Sequence, residues 1–430
     1  MKYLPIDQQL FVENKKNFTA HLLPNSIAFF QANDEMPKSA DMNFQFRQNA
    51  DLFYLTGIDQ EETLLIIFPD SPLPEYKEVL LLRRTNEVIA VWEGHKYTVE
   101  EAQAQSGVKT VMWFDEFESI LHMLMTYAEH VYLNTNENYR AHPQVEDKNL
   151  RFAHELMRRF PVHQYHRSAP IMMQLRQIKS TIEVNLIKEA IRITAVAFER
   201  VLKFTRPGVT EYEIEAEITH EFLRNRSGGH AYTPIIASGK NACVLHYVEN
   251  NQTCKRGDLL LLDFGADYGN YAADLTRTIP VSGKFTPRQK EVYNAVLRVQ
   301  RQSMELLRPG TIINEYHKEV GKMMEQELLD LGLLKQAAVK KQDPEKPLYK
   351  KYFMHGTSHH LGLDVHDLGT RFAPIEAGMV FTCEPGIYIP EENIGIRIEN
   401  DILVTNGAPV DLMAMIPVEV KEIEALMKRS

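Results

Sequence analysis

The chain has 430 residues, of which 44% are hydrophobic and 25% are charged, as in folded globular proteins long enough to bury two cores. A net charge of −10 argues against a nucleic-acid-binding surface, so we expect no nucleic-acid partner. The three cysteines, Cys243, Cys254 and Cys383, form no C-x-x-C pair, which fits a reducing compartment. Apolar runs too short to span a bilayer and an N-terminus without a signal-peptide core predict a cytoplasmic protein with no membrane partner.

The N-terminal part of the chain predicts an α/β domain. Short strand-like runs at 64–68, 79–82 and 131–133 alternate with helical stretches such as 115–128. Residues 163–170, HQYHRSAP, read as a linker. We therefore expect a domain boundary near residue 168, with an N-terminal domain at 1–168 and a second domain at 169–430.

The second domain begins with a long helical pattern. Apolar residues recur at helical spacing over 171–204 and predict one amphipathic helix, or two in succession.

Two motifs recur further along this domain. Residues 206–213 (RPGVTEYE) are echoed by 308–316 (RPGTIINEY) at an offset of 102, and 257–265 (GDLLLLDFG) by 378–386 (GMVFTCEPG) at an offset of 121. Most of the extra length fits into 335–351, a lysine-rich stretch that reads as an exposed loop. The duplication predicts two similar α/β halves that face each other and both supply ligands.

Four carboxylates stand at related positions of these halves. Asp263 and Glu384 each end an apolar strand, and Asp274 and Glu399 follow where the chain returns. A single carboxylate there is usually a solvated turn or a helix cap, but four that converge in a low-dielectric cleft repel one another and need a cation. Carboxylate oxygens with one imidazole suit manganese, iron, cobalt or zinc, and two bridging carboxylates would hold two ions.

The imidazole is expected from residues 352–367, YFMHGTSHHLGLDVHD, which contain four histidines. His355 and His359 are four apart, but the zinc motif H-E-x-x-H does not apply, because Gly356 occupies the position of its glutamate. Composition and spacing alone leave open which histidine binds metal.

The stretches DFGADYGNYAADLTRT, HGTSHHLGLDVHD, EPGIYI and GIRIEND together resemble the pita-bread metallopeptidases, specifically the Xaa-Pro aminopeptidases (aminopeptidase P). FRQNADLFYLTGIDQEETLLII resembles the N-terminal domain of that family, so the likeness covers nearly the whole chain. The resemblance implies an α/β (α+β) protein. Its C-terminal pita-bread fold would have two pseudo-symmetric halves, preceded by a smaller α/β domain of creatinase/aminopeptidase P type.

The resemblance also implies a set of five metal ligands. Asp263 would bind one metal ion, His359 and Glu384 the second, and Asp274 and Glu399 would bridge both. The implied cofactor is a pair of divalent ions, Mn²⁺ first, with Zn²⁺, Co²⁺ and Fe²⁺ as alternatives.

Catalytic and substrate-binding residues are implied in the same way. Glu384 would be the general base, and His366 would stabilise the tetrahedral intermediate at the scissile carbonyl. His246 lies 120 positions before His366 and is either a substrate contact or a core histidine; the family favours the former. His355 would bind substrate, whereas strand alternation turns His360 towards packing or the rim of the site.

Three more residues belong to the implied site. Arg397 shares a strand face with Glu399, which favours a hydrogen-bonding role over that of a surface charge. Tyr388 is either a wall of the site or an ordinary sheet residue. Trp92 either covers the proline pocket, in this family sometimes from a neighbouring subunit, or packs in a core.

The expected activity is hydrolysis that releases the first residue of small peptides with proline in second position, by a homodimer or homotetramer. A prolidase, which takes only Xaa-Pro dipeptides, shares the fold and ligands, although the stretch HYVEN at 246–250 looks more like the aminopeptidases. Methionine aminopeptidases generally lack the N-terminal domain, and creatinase-like relatives work without metals. A non-catalytic binding module is the alternative of another class, and the complete ligand set argues against it.

Overall fold

The structure, a computed structural model, describes residues 2–140 and 144–428, which form two compact units. The first unit comprises Pro5–Arg176, and the second comprises Lys2–Leu4 with the chain from Gln177 onward. This division lies beyond the expected boundary at residue 168. The interpretation of 163–170 as a linker is wrong, because Gln164–Arg167 is a strand that pairs with His130–Leu133.

Arg176 is held inside the first unit. Its side chain is 3% exposed, and its Nη1 lies 2.8 Å from Oδ1 of Asp51. A buried guanidinium without a partner is strongly unfavourable, so this ion pair ties Arg176 to the first unit.

The first unit is an α/β domain with a six-stranded mixed sheet and a separate hairpin of β2 and β3. Its strands are β1 (Ser26–Gln31), β2 (Pro37–Ser39), β3 (Met42–Asn43), β4 (Leu64–Ile67), β5 (Glu78–Leu82), β6 (Thr110–Trp113), β7 (His130–Leu133) and β8 (Gln164–Arg167). Its helices are α1 (Gln8–Thr19), α2 (Ala50–Thr56), α3 (Glu87–Glu93), α4 (Val99–Ser106), α5 (Phe117–Tyr127), α6 (Lys148–Arg159) and α7 (Ala169–Gln177), whose last residue belongs to the second unit.

The six-stranded sheet has the order β6-β5-β4-β1-β7-β8, with β1 antiparallel to β4 and parallel to β7. All residues of β1 and β4 are buried, which explains their unbroken apolar runs. The predicted strands at 64–68, 79–82 and 131–133 are confirmed as β4, β5 and β7, and the predicted helix at 115–128 is confirmed as α5.

The second unit contains the two halves that the sequence predicts. Its strands are β9 (Gly229–His230), β10 (Ile235–Ser238), β11 (Leu259–Phe264), β12 (Ala266–Tyr268), β13 (Tyr271–Ala272), β14 (Leu275–Pro280), β15 (Val380–Cys383), β16 (Gly386–Ile389), β17 (Ile394–Arg397), β18 (Asn400–Leu403) and β19 (Val410–Asp411). Its helices are α8 (Thr181–Phe204), α9 (Glu211–Arg224), α10 (Pro287–Met304), α11 (Ile313–Asp330), α12 (Gln336–Val339) and α13 (Val420–Leu426).

The helical pattern of 171–204 is two helices, α7 and α8. Ser180 is the N-cap of α8 and forms a capping box with Glu183, so that a new helix begins at Thr181. Across the described residues, no helix combines the length and the apolar character that crossing a bilayer requires.

Backbone geometry repeats between the halves. Gly208 and Gly310 of the repeated RPG motifs have φ angles of 97° and 94°, and Gly257 and Gly378 have 91° and 94°. These left-handed angles favour glycine. Thr210 forms an antiparallel bridge with Thr253. The equivalent residues of the other half, Ile312 (102 positions after Thr210) and Pro374 (121 positions after Thr253), form the same kind of bridge. The predicted duplication is therefore present in the backbone.

The antiparallel pairs of the two halves are also related. β11 pairs with β10 and β14, while β15 pairs with β18 and forms a single bridge through Phe381 to His360. One bridge, between Thr276 of β14 and Glu399, connects the halves. The α/β pita-bread prediction is confirmed.

Candidate active site

Asp263 and Asp274 lie at one edge of the β11–β14 pair. Asp263 pairs in register with Thr276, and Asp274 immediately precedes β14. The chain between them turns tightly, and a Cβ at Gly265 would lie only 1.7 Å from the carbonyl oxygen of Ala273. Glycine at this position lets the hairpin close and brings the two aspartates together.

Tyr232 joins these two carboxylates. Its hydroxyl lies 2.7 Å from Oδ1 of Asp263 and 2.5 Å from Oδ1 of Asp274. Burial, followed by the negative charge of Asp263, raises the pKa of Tyr232 well above its usual range. The phenol therefore stays protonated and donates to the aspartates.

His359 supplies an imidazole from the other half. Its backbone N–H donates to Oγ1 of Thr382, and its Nδ1 lies 3.0 Å from the carbonyl oxygen of His360. That contact leaves Nε2 facing the carboxylates, 3.5 Å from Oδ2 of Asp274 and 3.7 Å from Oε1 of Glu384. A histidine oriented through one nitrogen and open at the other is the usual arrangement of a metal ligand.

Glu399 completes the cluster at the bridge between the halves. Its N–H donates to the carbonyl oxygen of Thr276 at 3.0 Å, and Oγ1 of Thr276 donates to its Oε2 at 2.6 Å. One ligand atom each of Asp274, His359 and Glu399 lies within 4.8 Å of the others, and all three residues are buried. The structure thus brings together the predicted ligands, with Glu384 beside His359 and Asp263 beside Asp274.

The cluster carries more negative charge than its surroundings offset. Burial is the main cause that raises the pKa values of Asp274, Glu384 and Glu399 well above the usual range, and neighbouring carboxylates add to it. Arg397 opposes the shift in each of the three. The buried carboxylates outnumber the one guanidinium that faces them. Together with one imidazole, such carboxylates suit divalent cations of the manganese, iron, cobalt and zinc group.

Arg397 lies behind the carboxylates. It is 4% exposed; its Nη2 lies 2.5 Å from Oδ2 of Asp263, and its Nη1 donates to the Tyr388 hydroxyl at 2.9 Å. Alternation over 394–400 is interrupted, because β17 ends at Arg397. The guanidinium bonds to Asp263 and to Oγ1 of Thr276, and it is no surface charge.

Tyr388 connects Arg397 to His355. Its side chain is fully buried, and its hydroxyl lies 2.8 Å from Nε2 of His355. Burial, with Arg397 as the second cause, lowers the pKa of His355 to about 3, so this imidazole is neutral at physiological pH. His355 Nδ1 also lies 3.7 Å from Oε2 of Glu384.

His246 and His366 lie on the open side of the cluster. Both are exposed, and the His366 ring stands edge-on to the His359 ring with centroids 4.3 Å apart. The charge of His246 is among the causes that lower the pKa of His355, which places it near the same site. His246 is therefore not a core histidine.

His360 and Trp92 resolve two alternatives from the sequence. His360 is 7% exposed and packs on Phe381 with ring centroids 4.2 Å apart, which confirms the packing role. Trp92 is 85% exposed on α3, so the core alternative for it is wrong.

The sequence analysis missed three residues that hold the ligands: Tyr232, Thr276 and Asp401. Asp401 is fully buried and accepts a hydrogen bond from the Asp274 N–H at 3.1 Å. Asp401 and Thr276 stand two residues from Glu399 and Asp274, a local signal that could have identified them. Tyr232 lies far from every ligand in the chain and carries no such signal.

A buried cluster of this composition on a duplicated α/β fold defines a class of metallopeptidases. The family model "Metallopeptidase family M24" matches residues 185–406, and the model "Aminopeptidase P, N-terminal domain" matches residues 11–132.

Individual relatives narrow the class. The Xaa-Pro aminopeptidase of Haemophilus influenzae is 35% identical, with 99% of this chain and 98% of that protein covered; that of Escherichia coli K12 is 36% identical, with 98% of each covered. Among solved structures, Zn-substituted E. coli aminopeptidase P in complex with product has a TM-score of 0.89 at 34% identity. Pseudomonas aeruginosa aminopeptidase PepP has a TM-score of 0.91 at 32% identity, and each comparison covers 99% of both chains.

The chain therefore belongs to the Xaa-Pro aminopeptidases (aminopeptidase P) of metallopeptidase family M24. It is a metallo-aminopeptidase, and hence a hydrolase.

Proposed function

We propose that this enzyme releases the first residue from small peptides with proline in second position and uses two divalent cations, Mn²⁺ before Zn²⁺, Co²⁺ or Fe²⁺. The main support is the match over the full length, including the N-terminal domain, to relatives named Xaa-Pro aminopeptidase. The buried cluster around Asp274 adds independent support for the cations.

The residues that would hold the cations are those that the resemblance implies: Asp263, Asp274, His359, Glu384 and Glu399. When bound, the cations supply Lewis acidity and offset the carboxylate charge. The two halves of the fold each contribute ligands, so that neither half would form the centre alone.

Glu384 handles the proton in this proposal. Its Oε1 lies 3.7 Å from Nε2 of His359 and its Oε2 lies 3.7 Å from Nδ1 of His355, so the carboxylate faces the cluster, where it can accept a proton from the attacking water. Cleavage of the C–N bond leaves the proline nitrogen in need of a proton, and Glu384 can return it there. The carboxylate regains its charge when that proton leaves.

The histidines of the open side orient the peptide. His366 and His246 would donate to the carbonyl oxygens that flank the scissile bond, and His366 would stabilise the oxyanion. His355 would bind substrate through its neutral imidazole. Tyr388 and Arg397 are buried, so we assign them to orienting His355 and Asp263 and not to direct contact with the peptide.

The first experiment compares an Xaa-Pro-Xaa tripeptide with the matching Xaa-Pro dipeptide under added Mn²⁺. Release of the first residue from the tripeptide is the expected result, and Glu384→Gln serves as the inactive control. Cleavage of the dipeptide alone would establish a prolidase and overturn the proposal. Tight binding of peptides without turnover by the metal-loaded protein would favour the binding-module alternative.

We further propose that the enzyme forms a homodimer or homotetramer and that Trp92 contacts the proline-containing peptide. An exposed tryptophan on a helix without buried residues supports a contact of this kind, since such large apolar side chains commonly mark binding surfaces. Light scattering coupled to size exclusion tests the oligomer. Trp92→Ala should raise KM with little change in kcat; unchanged kinetics would remove Trp92 from the site.

We also propose a cytoplasmic location, without a nucleic-acid or membrane partner. The three unpaired cysteines support a reducing compartment. Fractionation of cells that express the protein tests this, and recovery with the membrane or secreted fraction would contradict it.

A further inference from the structure

Glu211, the first residue of α9, is fully buried and takes no part in the metal cluster. Its Oε1 accepts hydrogen bonds from the N–H and the hydroxyl of Ser238, at 2.8 and 2.7 Å. Its Oε2 accepts from the Tyr247 hydroxyl and the Gln252 N–H, at 2.7 and 2.9 Å. One buried carboxylate thus receives four donors.

These donors all border the segment that carries His246. Ser238 ends β10 just before this segment, Gln252 lies just after it, and Tyr247 is the direct neighbour of His246. The segment has only one turn of 3₁₀-helix, Gly239–Cys243, and His246 is exposed. Packing of Ala242 and Tyr247 and the hydrogen bonds of the buried Asn250 also hold this segment. Glu211 is the one group among these contacts that ties both ends of the segment and the neighbour of His246 to a single carboxylate.

The other half of the fold does not repeat this carboxylate. At the offset of 102, the position of Glu211 is occupied by Ile313, although the neighbouring backbone bridge is retained. There, an ion pair anchors the residue after His366. Nζ of Lys179 lies 3.0 Å from Oδ2 of Asp367, with side-chain exposures of 1% and 2%.

We propose that Glu211 is a positioning residue that holds the His246 segment, and thereby the imidazole of His246, in place for the peptide. This inference rests on the proposed function, in which His246 contacts the substrate. Glu211 acts through Tyr247 and the two ends of the segment, and it does not touch substrate or metal ligands.

Replacement by glutamine isolates this role. Glu211→Gln keeps the volume but exchanges one oxygen for an amide N–H₂, which then faces donors of Ser238 or of Tyr247 and Gln252. The hydrogen bonds to one of the two carboxylate oxygens are lost, while the contacts of Asp263, Asp274 and the other ligands are unchanged.

The experiment is a double-mutant cycle on the metal-loaded, full-length enzyme with an Xaa-Pro-Xaa peptide. Glu211→Gln should lower kcat/KM by about 10- to 100-fold, mainly through KM, at unchanged metal content. In a His246→Ala background the same substitution should cost less than about threefold, because the group that it positions is gone. Tyr247→Phe removes one of the four donors and should give a smaller loss in the same direction.

Glu213→Gln is the matched control. Glu213 lies in the same turn of α9, forms the capping box with Thr210, and does not contact the His246 segment; glutamine also serves in such a box. This variant should retain its activity.

Three outcomes would overturn the inference. If Glu211→Gln lowers kcat/KM equally in both backgrounds, its role is general stability. If His246→Ala lowers activity but Glu211→Gln does not, only the positioning role fails. If His246→Ala itself has no effect, the role of His246 in the proposed function fails too. Should Glu211→Gln not fold, Tyr247→Phe is carried through the same cycle with the same criteria.

Discussion

At the scale of single residues, the geometry of the cluster depends on which side chains donate hydrogen bonds to its carboxylates. The Tyr232 hydroxyl has one proton and two carboxylate neighbours, so it bonds fully to Asp263 or Asp274 but not to both at once. Arg397 adds one charge-assisted hydrogen bond, to the other carboxylate oxygen of Asp263. The protein thus holds its carboxylates from behind and leaves the face towards His359 for a cation.

We expect Asp274→Asn to lower kcat/KM by more than about 100-fold, beyond the 10- to 100-fold typical of residues that only support a ligand. The substitution removes a charge that cations would share, so metal content should fall as well. Asparagine has the same size and relieves repulsion, so the melting temperature of the metal-free protein should not decrease. Metal analysis and peptide kinetics check this, with the exposed Asp343→Asn as control; full activity at full metal content would refute the ligand assignment.

Tyr232→Phe should weaken metal binding by about 10- to 100-fold while the fold persists. The substitution removes the hydroxyl that contacts both Asp263 and Asp274, and among the described residues only Asp263 keeps another side-chain donor, Arg397. A competition titration with a chelating dye measures the affinity. The exposed Tyr212→Phe on α9 is the control, and equal affinities of the two variants would contradict the role of the Tyr232 hydroxyl.

At the scale of elements, the apolar runs that become β4, β5, β7 and β11 could be predicted, because buried strands need continuous apolar side chains. The break before α8 could also be read from Ser180 and Glu183, which form its capping box. The strand β8 could not. Its sequence, QYHR, is polar and half-exposed at the edge of the sheet, so its pairing with β7 leaves no periodic signal.

In the site, too, only residues with a local sequence signal could be predicted. Asp263, Asp274, Glu384 and Glu399 could be predicted because a duplicated motif places each of them beside a strand. Tyr232 could not, because its role arises only when the chain folds back onto the ligands. For Arg397, sequence alternation favoured a hydrogen-bonding role, but it could not identify Asp263 as the partner, because Asp263 lies on a strand of the other half.

Lys15 of α1 gives a prediction for the core of the first unit. It is 2% exposed, and its Nζ donates to the carbonyl oxygens of Phe11 and Ser106. Burial lowers its pKa from 10.5 to about 8, against a weaker opposing effect of Glu78. The unfolded chain therefore binds more protons between these pH values, and the contribution of Lys15 to stability increases as the pH rises through this window.

Relative to Lys15→Met, the free energy of unfolding of the unaltered protein should rise by up to about 3 kcal/mol between pH 8 and pH 10.5. Urea denaturation at several pH values, followed by circular dichroism, measures the difference. Lys16→Met, at the neighbouring exposed position, is the control for the loss of one positive charge. A difference that stays constant with pH would mean that Lys15 titrates normally in the folded state.

At the scale of the whole molecule, two repeated halves share one cluster but differ in their details. Matched glycines and matched backbone bridges preserve the duplication, whereas Glu211 and Ile313 occupy equivalent positions with opposite chemistry. The backbone turns and bridges are therefore duplicated, whereas the side chains that hold the His246 and His366 segments differ between the halves. The two compact units also differ in what they contribute to the site, because Asp274, His359 and Glu399 all lie in the second unit.

Metal removal should consequently affect the two units unequally. A cation bound only by the folded second unit stabilises that unit by about 2.7 kcal/mol at 100 times its Kd. Hydrogen exchange with and without Mn²⁺ should show lost protection at 259–280 and 380–403 after chelation, with β1 and β4 unchanged. Equal loss in both units would show that the cation binds elsewhere or that the units unfold together.

The exposed position of Trp92 has a practical consequence. The chain has only two tryptophans, and the other, Trp113, is half-buried with Arg84 over its ring. In a Trp113→Phe background, the tryptophan fluorescence, excited selectively over that of the 18 tyrosines, would come from a single indole in water, with long-wavelength emission and ready quenching by acrylamide. Any peptide or second copy that covers α3 would shift that emission to the blue and shield it, so that occupancy of this helix can be followed in solution without a label.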